Sequence, residues 1–221
     1  MAYCLINSLA GGGAERQVTL LSRHIPFQKI FLLENEIDFD VNRNLIAILS
    51  SQTRKTSAIW KMLLLPFTSW KLKAKIKDKN PTVLSFLERA NFVNIVSKLF
   101  FPHRAIVSVR IFPSMAYGKG LKRLEKFLIR WLYRKADLII ANSKAIQDDL
   151  ISHFHLEPAK IQVIYNGIDL DEIEEKSEEP LEKKFLRVFD TPVIITLGRL
   201  KPQKGQEHLI RVFQKLKPKF P

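Results

Sequence analysis

The chain has 221 residues, 46% hydrophobic and 26% charged, which supplies a sizeable core and excludes disordered, collagen-like and polytopic membrane chains. Eleven prolines and eight glycines are too few for low-complexity spacers, and the one cysteine, Cys4, excludes an intrachain disulfide or a Cys-based zinc site and fits a reducing compartment. The outlier is charge: 36 basic against 22 acidic side chains give a formal net charge of +14.

The N-terminal stretch Met1–Asn7 lacks a positive leader and has only a short apolar run, so it is not a signal peptide. From there short apolar runs alternate with amphipathic helical patterns. The runs predict strands at Tyr3–Asn7, Lys29–Leu33, Leu45–Leu49, Thr82–Phe86, Ala105–Val109, Leu138–Ala141, Ile161–Tyr165 and Val193–Leu197. Helices are predicted at Ala14–His24, Ala58–Lys77, Ala90–Phe100, Gly120–Lys135, Ser143–Phe154 and Gln206–Leu216. The apolar stretch Trp60–Phe67 is far short of the roughly 18–20 residues a membrane span needs, and Pro66 interrupts it. Strands such as Leu138-Ile139-Ile140 are apolar throughout rather than alternating, as in a sheet covered by helices on both faces. The expected fold is therefore α/β, a doubly wound parallel sheet.

Three parts are expected: a Rossmann-like domain over 1–167, an acidic crossover over 168–190, and one βα unit over 191–221. The crossover carries nine acidic against four basic residues and includes Pro180. A single βα unit cannot bury its own apolar faces, so the second domain is expected to be truncated.

Three segments could carry chemistry. Gly11-Gly12-Gly13 lie between the first strand and the first helix, where a close backbone and a helix N-terminus form a ready anion site. The plainer reading is a tight turn with Glu15 as a favourable first-turn carboxylate. The spacing is neither the dinucleotide fingerprint nor a Walker loop, although Glu34 lies about 20 residues on, where a ribose-binding acid is expected. The second segment is the strand and Asn-Gly turn of Val163-Ile164-Tyr165-Asn166-Gly167-Ile168-Asp169. The third is Gly198-Arg199-Leu200 with Lys204-Gly205, where two cations would meet one anion at a strand end.

Together with Ala136-Asp137-Leu138-Ile139-Ile140-Ala141-Asn142-Ser143 opening a helix, and Gly-Gly-Ala-Glu after the first strand, these segments resemble the retaining glycosyltransferases of family four, of GT-B fold. The resemblance covers essentially the whole chain. It implies an acceptor-side N-terminal domain and a nucleotide-sugar-binding C-terminal domain that is incomplete here. It implies that Gly12 and Gly13 approach the donor, that Arg199 and Lys204 neutralise the diphosphate leaving group, and that no metal or other cofactor is needed beside the nucleotide-diphosphate sugar. Cations placed where charge develops lower the barrier itself. Many members carry a His after the strand equivalent to Ala105–Val109; Arg110 stands there, as in subfamilies that build lipid-linked or surface polysaccharides, and with Glu15 it is an acceptor-side candidate. The paired glutamates that hold the donor nucleoside belong to a region beyond residue 221. The catalytic residues are therefore not assigned, and a truncated remnant that binds acceptor or membrane without transferring sugar is the alternative.

Residues 54–79 and 119–135 concentrate fifteen basic side chains against two acidic ones. On a helix Arg123, Lys126, Arg130 and Arg134 form one stripe and Leu121, Leu124, Leu128, Trp131 and Leu132 another, a pattern that suits either an anionic membrane surface or a core-packed helix with a solvated basic face. No nucleic-acid motif accompanies the charge, so nucleic acid is not an expected partner. The expected place is the cytoplasm, peripheral on the inner face of the cytoplasmic membrane.

Overall fold

A computed structural model describes residues 1–53, 55–116, 122–198, 200 and 204–219. The chain divides into two compact units, Met1–Asp169 and Leu170–Pro221.

The first unit runs β1 (Ala2–Ile6), α1 (Gly13–His24), β2 (Phe27–Glu34), β3 (Ile46–Gln52), α2 (Ala58–Leu63), α3 (Leu65–Lys75), β4 (Thr82–Phe86), α4 (Glu88–Ser97), β5 (Arg104–Val109), α5 (Pro113–Ala116), α6 (Lys122–Leu132), β6 (Leu138–Ala141), α7 (Lys144–Phe154) and β7 (Ile161–Val163). The strands form one parallel sheet in the order β3-β2-β1-β4-β5-β6-β7. This is the doubly wound Rossmann-like arrangement. Its direction reverses between β1 and β4, whose ends are in register at Ile6 and Phe86.

Residue parity distributes the core. Leu5, Phe31, Val83, Val107 and Ile139 pack with α3, α4, α6 and α7 on one face. Cys4, Ile6, Ile30, Leu32 and Phe86 pack with Val18 of α1 on the other. Two buried amides tie the strands to α4. Asn94 Nδ2 donates to the Val83 carbonyl at 2.9 Å. Asn91 Nδ2 donates to the Tyr133 hydroxyl at 2.9 Å, and its Oδ1 accepts from Ser85 Oγ at 2.8 Å. Ser57 and Ser143 cap α2 and α7.

Two expectations are corrected here. The helix predicted over Ala58–Lys77 is two helices, because Pro66 offers no N–H to the preceding turn and its ring would crowd the carbonyl four residues back. The strand predicted at Val193–Leu197 does not form. The second unit holds α8 (Leu170–Ser177), α9 (Lys183–Leu186) and α10 (Gln206–Leu216), and among its described residues there is no strand for that segment to pair with. Ile194, Ile195 and Leu197 stay exposed. An apolar run becomes a strand only where a neighbour takes its backbone hydrogen bonds.

Candidate functional site

The carboxyl ends of the strands gather the polar side chains, at the edge where open α/β sheets bind ligands. The glycine loop after β1 leads into α1, whose first cap residue, Gly12, is extended and has no side-chain cap bond. The Glu15 carboxylate leans back over Gly12, so a Cβ there would collide with it. Gly13 has open space on its Cβ side. The Gly11 N–H donates to Asp38 Oδ2 at 3.0 Å. Two of the chain's own carboxylates, Glu15 and Asp38, therefore stand at the loop expected to meet an anion.

Arg110 follows β5. Its guanidinium lies 4.8 Å over the Phe86 ring, donates from Nη1 to Asn166 Oδ1, and has a buried Nε with no partner. Burial pulls its pKa down to about 10, which leaves it charged at neutral pH. Among the described residues no carboxylate pairs with it. Asn166 and Gly167, expected at the crossover turn, are thus beside Arg110 and α1, for Gln17 Nε2 donates to the Gly167 carbonyl at 2.8 Å.

Glu34 stands at the strand end where a ribose-binding acid is expected, but its carboxylate is taken by the chain's own cations. It is buried at the end of β2, where its Oε1 accepts from Lys61 Nζ and Arg89 Nη2, each at 2.7 Å. Burial alone would raise its pKa, but the bonds and charges of Lys61 and Arg89 outweigh it and hold the carboxyl below the ordinary range. Arg89 also donates to Gln52 Oε1 at 3.2 Å. Lys61, counted in the basic segment 54–79, is paired with the buried Glu34 instead of being offered to a surface. Beside this group is a cavity of about 220 Å³, lined among others by Asn7, Glu34, Lys61, Glu88, Arg89 and Glu125.

Leu87, between β4 and α4, has φ 71° and ψ 148°, a conformation side chains rarely adopt. Such strain costs about 1–3 kcal/mol and gathers at functional sites. Asn7 Oδ1, Ser108 Oγ and Asn142 Oδ1 are buried without partners at the ends of β1, β5 and β6. Sequence reading missed Asn7, Lys61, Arg89 and Asn142 as site residues. The available signal was positional: Asn7, Arg110 and Asn142 are each the first polar residue after an apolar strand.

In the second unit Lys204 is exposed, with its methylenes alongside Gly198, and Gly205 takes the left-handed conformation (φ 69°) that starts α10. Arg199, the expected partner of Lys204, lies outside the described residues.

Residues 11–172 match the family model for Glycosyltransferase Family 4. The chain is 32% identical over 219 residues to an N-acetylgalactosamine-N,N'-diacetylbacillosaminyl-diphospho-undecaprenol 4-alpha-N-acetylgalactosaminyltransferase of Campylobacter jejuni, covering 96% of this chain and 58% of that protein. It is 30% identical over 209 residues to an uncharacterized glycosyltransferase of Methanocaldococcus jannaschii, covering 90% and 50%. Among solved structures, a glycosyltransferase from Rickettsia africae matches with TM-score 0.62 at 13% identity, over 98% of this chain and 57% of that one. Anabaena HepE in complex with UDP and glucose matches with TM-score 0.51 at 15% identity, over 80% and 50%. The first unit has the α/β fold of the N-terminal domain of a GT-B glycosyltransferase. The chain belongs to glycosyltransferase family 4. It spans about half the length of the curated relatives it matches.

Proposed function

We propose that this chain is the acceptor-side half of an enzyme that transfers a sugar from a nucleotide-diphosphate donor to a lipid-linked or polysaccharide acceptor, with retention at the anomeric carbon and without a metal ion. The observation that carries the reading is Arg110, a half-buried cation whose Nε is buried without a partner and which, among the described residues, has no carboxylate beside it. A desolvated cation without a counter-ion is costly, and a substrate phosphate offsets that cost on binding. The Campylobacter relative is named for a diphospho-undecaprenol-linked substrate, which presents such phosphates. Lys204 and Arg199 are the cations proposed for the leaving diphosphate.

The same reading places the first unit on an anionic membrane surface. All three tryptophans are more than half exposed: Trp60 at 61%, Trp70 at 51% and Trp131 at 56%. On α6 the core takes Ile129, while Leu124, Phe127 and Trp131 face outward beside Arg123 and Arg130. That corrects the single apolar stripe read from sequence: α6 has an inward and an outward apolar face, and Leu121 lies outside the described residues. Aromatic and basic side chains together suit the headgroup region. Among the described residues no helix is long and apolar enough to cross a membrane.

The test is transfer from a nucleotide-diphosphate sugar to a diphospho-undecaprenol-linked glycan, in EDTA, by a chain carried to the full length of its relatives. Arg110→Gln is expected to lower kcat/KM for the acceptor by about 10–100-fold, the loss of a charged hydrogen bond worth about 1.5–3 kcal/mol. Unchanged kcat/KM overturns the role of Arg110, and dependence on added metal overturns the metal-free reading. The 221-residue chain alone is expected to turn over little, because the described part of its second unit forms no sheet. That observation favours the second reading, an acceptor-binding half without transfer of its own.

A further inference from the structure

Arg110 leaves β5 on a short connection: only Ile111 and Phe112 separate it from α5, a helix of four residues. A helix that short does not hold itself in water, so tertiary contacts set its place. Pro113 has no N–H, and the first amide that α5 offers is that of Ser114. It donates to Asp149 Oδ2 of α7 at 3.1 Å.

Asp149 is out of character with its surroundings. It stands on the inward face of α7 with Ile146, Leu150 and Phe154, and its side chain is only 4% exposed. A carboxylate in such company is costly unless it is bonded. One oxygen takes the Ser114 N–H, and the other lies 3.1 Å from Nδ1 of the exposed His153, one turn further on. The other contacts of the segment constrain it less. Ile111 and Pro113 pack on the core, but apolar burial is non-directional. Arg110 itself donates to Asn166, which is exposed to water. Asp149 is thus the buried, directional anchor of the chain that leaves β5.

We propose that Asp149 is a positioning residue for Arg110: by fixing the first turn of α5 it fixes the connection from β5, and with it where the Arg110 guanidinium stands. The inference rests on the reading in which Arg110 meets the acceptor, and it adds to that reading a carboxylate 39 positions away on another helix. The bond to Ser114 carries the effect, and the pair with His153 does not.

Three variants separate these roles. Asp149→Leu keeps the branched shape and removes both oxygens, Asp149→Asn keeps an oxygen for the Ser114 N–H, and His153→Gln removes only the pair. The buried Arg110 Nε–H is the reporter in the 221-residue chain. Its resonance is expected to move in Asp149→Leu and to stay in place in Asp149→Asn and His153→Gln. An unmoved resonance in Asp149→Leu overturns the inference whatever the enzyme transfers. Where Asp149→Leu does not fold, the wild type decides: its Ser114 amide should exchange at least about ten-fold more slowly than an unstructured amide, and unprotected exchange overturns the tether.

In a chain carried to the full length of its relatives, Asp149→Leu should lower kcat/KM for the lipid-linked acceptor about ten-fold, the effect of a misplaced contact group. Asp149→Asn should rescue it. In the Arg110→Gln background Asp149→Leu should cost nothing more, since the group it places is gone. A further loss in that background marks general damage and overturns the positioning role. Arg110→Gln without effect on kcat/KM overturns the acceptor reading alone, and the resonance then decides the inference by itself.

Discussion

The side chain of Gln17 closes both backbone hydrogen-bonding groups of Gly167: Nε2 donates to the carbonyl and Oε1 accepts from the N–H, each at 2.8 Å. Across 150 residues of sequence, one amide acts as a short piece of strand and fastens α1 to the chain leaving β7. Gly167 is tightly approached, for a Cβ there would lie 3.1 Å from Leu20 Cδ2. The clasp holds Asn166 where Arg110 donates to it. Gln17→Ala should lower the unfolding free energy by about 1–3 kcal/mol, two hydrogen bonds at roughly 0.5–1.5 kcal/mol each. Urea unfolding checks this. The neighbouring Arg23–Asp169 pair at 2.8 Å is far more exposed, and Arg23→Gln should cost under about 1 kcal/mol.

Glu34 predicts a pH dependence. Its carboxyl is held below the ordinary range, so the unfolded chain binds the proton more readily than the folded one. The stabilisation is complete above the ordinary glutamate value of about 4.3 and is lost as pH falls through the folded-state value. Glu34→Gln should cost about 3–5 kcal/mol at neutral pH, as when one partner of a buried ion pair is removed. Melting temperatures of the two proteins should converge as the buffer is taken from pH 5 toward pH 3. Parallel curves would show that the charge of Glu34 contributes nothing.

His155 closes α7 in the left-handed conformation (φ 54°, ψ 43°), and its side chain is exposed. A glycine meets no Cβ penalty there. The left-handed conformation costs a residue with a Cβ roughly 1–2 kcal/mol, and a glycine's greater freedom in the unfolded chain takes back about 0.5–1 kcal/mol. His155→Gly should therefore stabilise the first unit by a net of about 0.5–1 kcal/mol, read as a higher urea midpoint with an unchanged slope.

Membrane docking predicts sedimentation with anionic vesicles at low salt and its loss as salt is raised. Each Lys or Arg near an anionic leaflet contributes about 1 kcal/mol, so Arg123→Gln, Arg130→Gln and Arg134→Gln together should reduce pelleting by an order of magnitude or more. Lys126 is left in place because it lies 5.9 Å over the Phe154 ring and belongs to the packing. Trp131→Ala should weaken binding without altering its salt dependence. Equal pelleting on neutral vesicles would overturn the electrostatic docking.

Much of the first unit was legible in the sequence because buried parallel strands need apolar side chains on both faces. The runs Thr82–Phe86 and Leu138–Ala141 read from sequence are β4 and β6 to the residue. The same signal misled at Val193–Leu197, where the apolar residues are present and no described neighbour supplies hydrogen bonds. It also joined α2 to α3, since periodicity carried across Pro66 more smoothly than the backbone does.

The sequence by itself determined the succession of the seven strands of the first unit, the glycine turn into α1 and the strand-end position of Arg110, since each depends on local spacing and residue type. Only the tertiary structure decided that Glu34 is bound by Lys61 and Arg89, 27 and 55 positions away, rather than offered to a ligand. It alone showed which face of α6 the core takes and which polar atoms at the sheet's edge are left unpaired. The physical reason is the range of the interactions. Propensity and periodicity act over a few residues, whereas burial, ion pairing and orphaned hydrogen bonds are set by which distant strands the sheet makes neighbours.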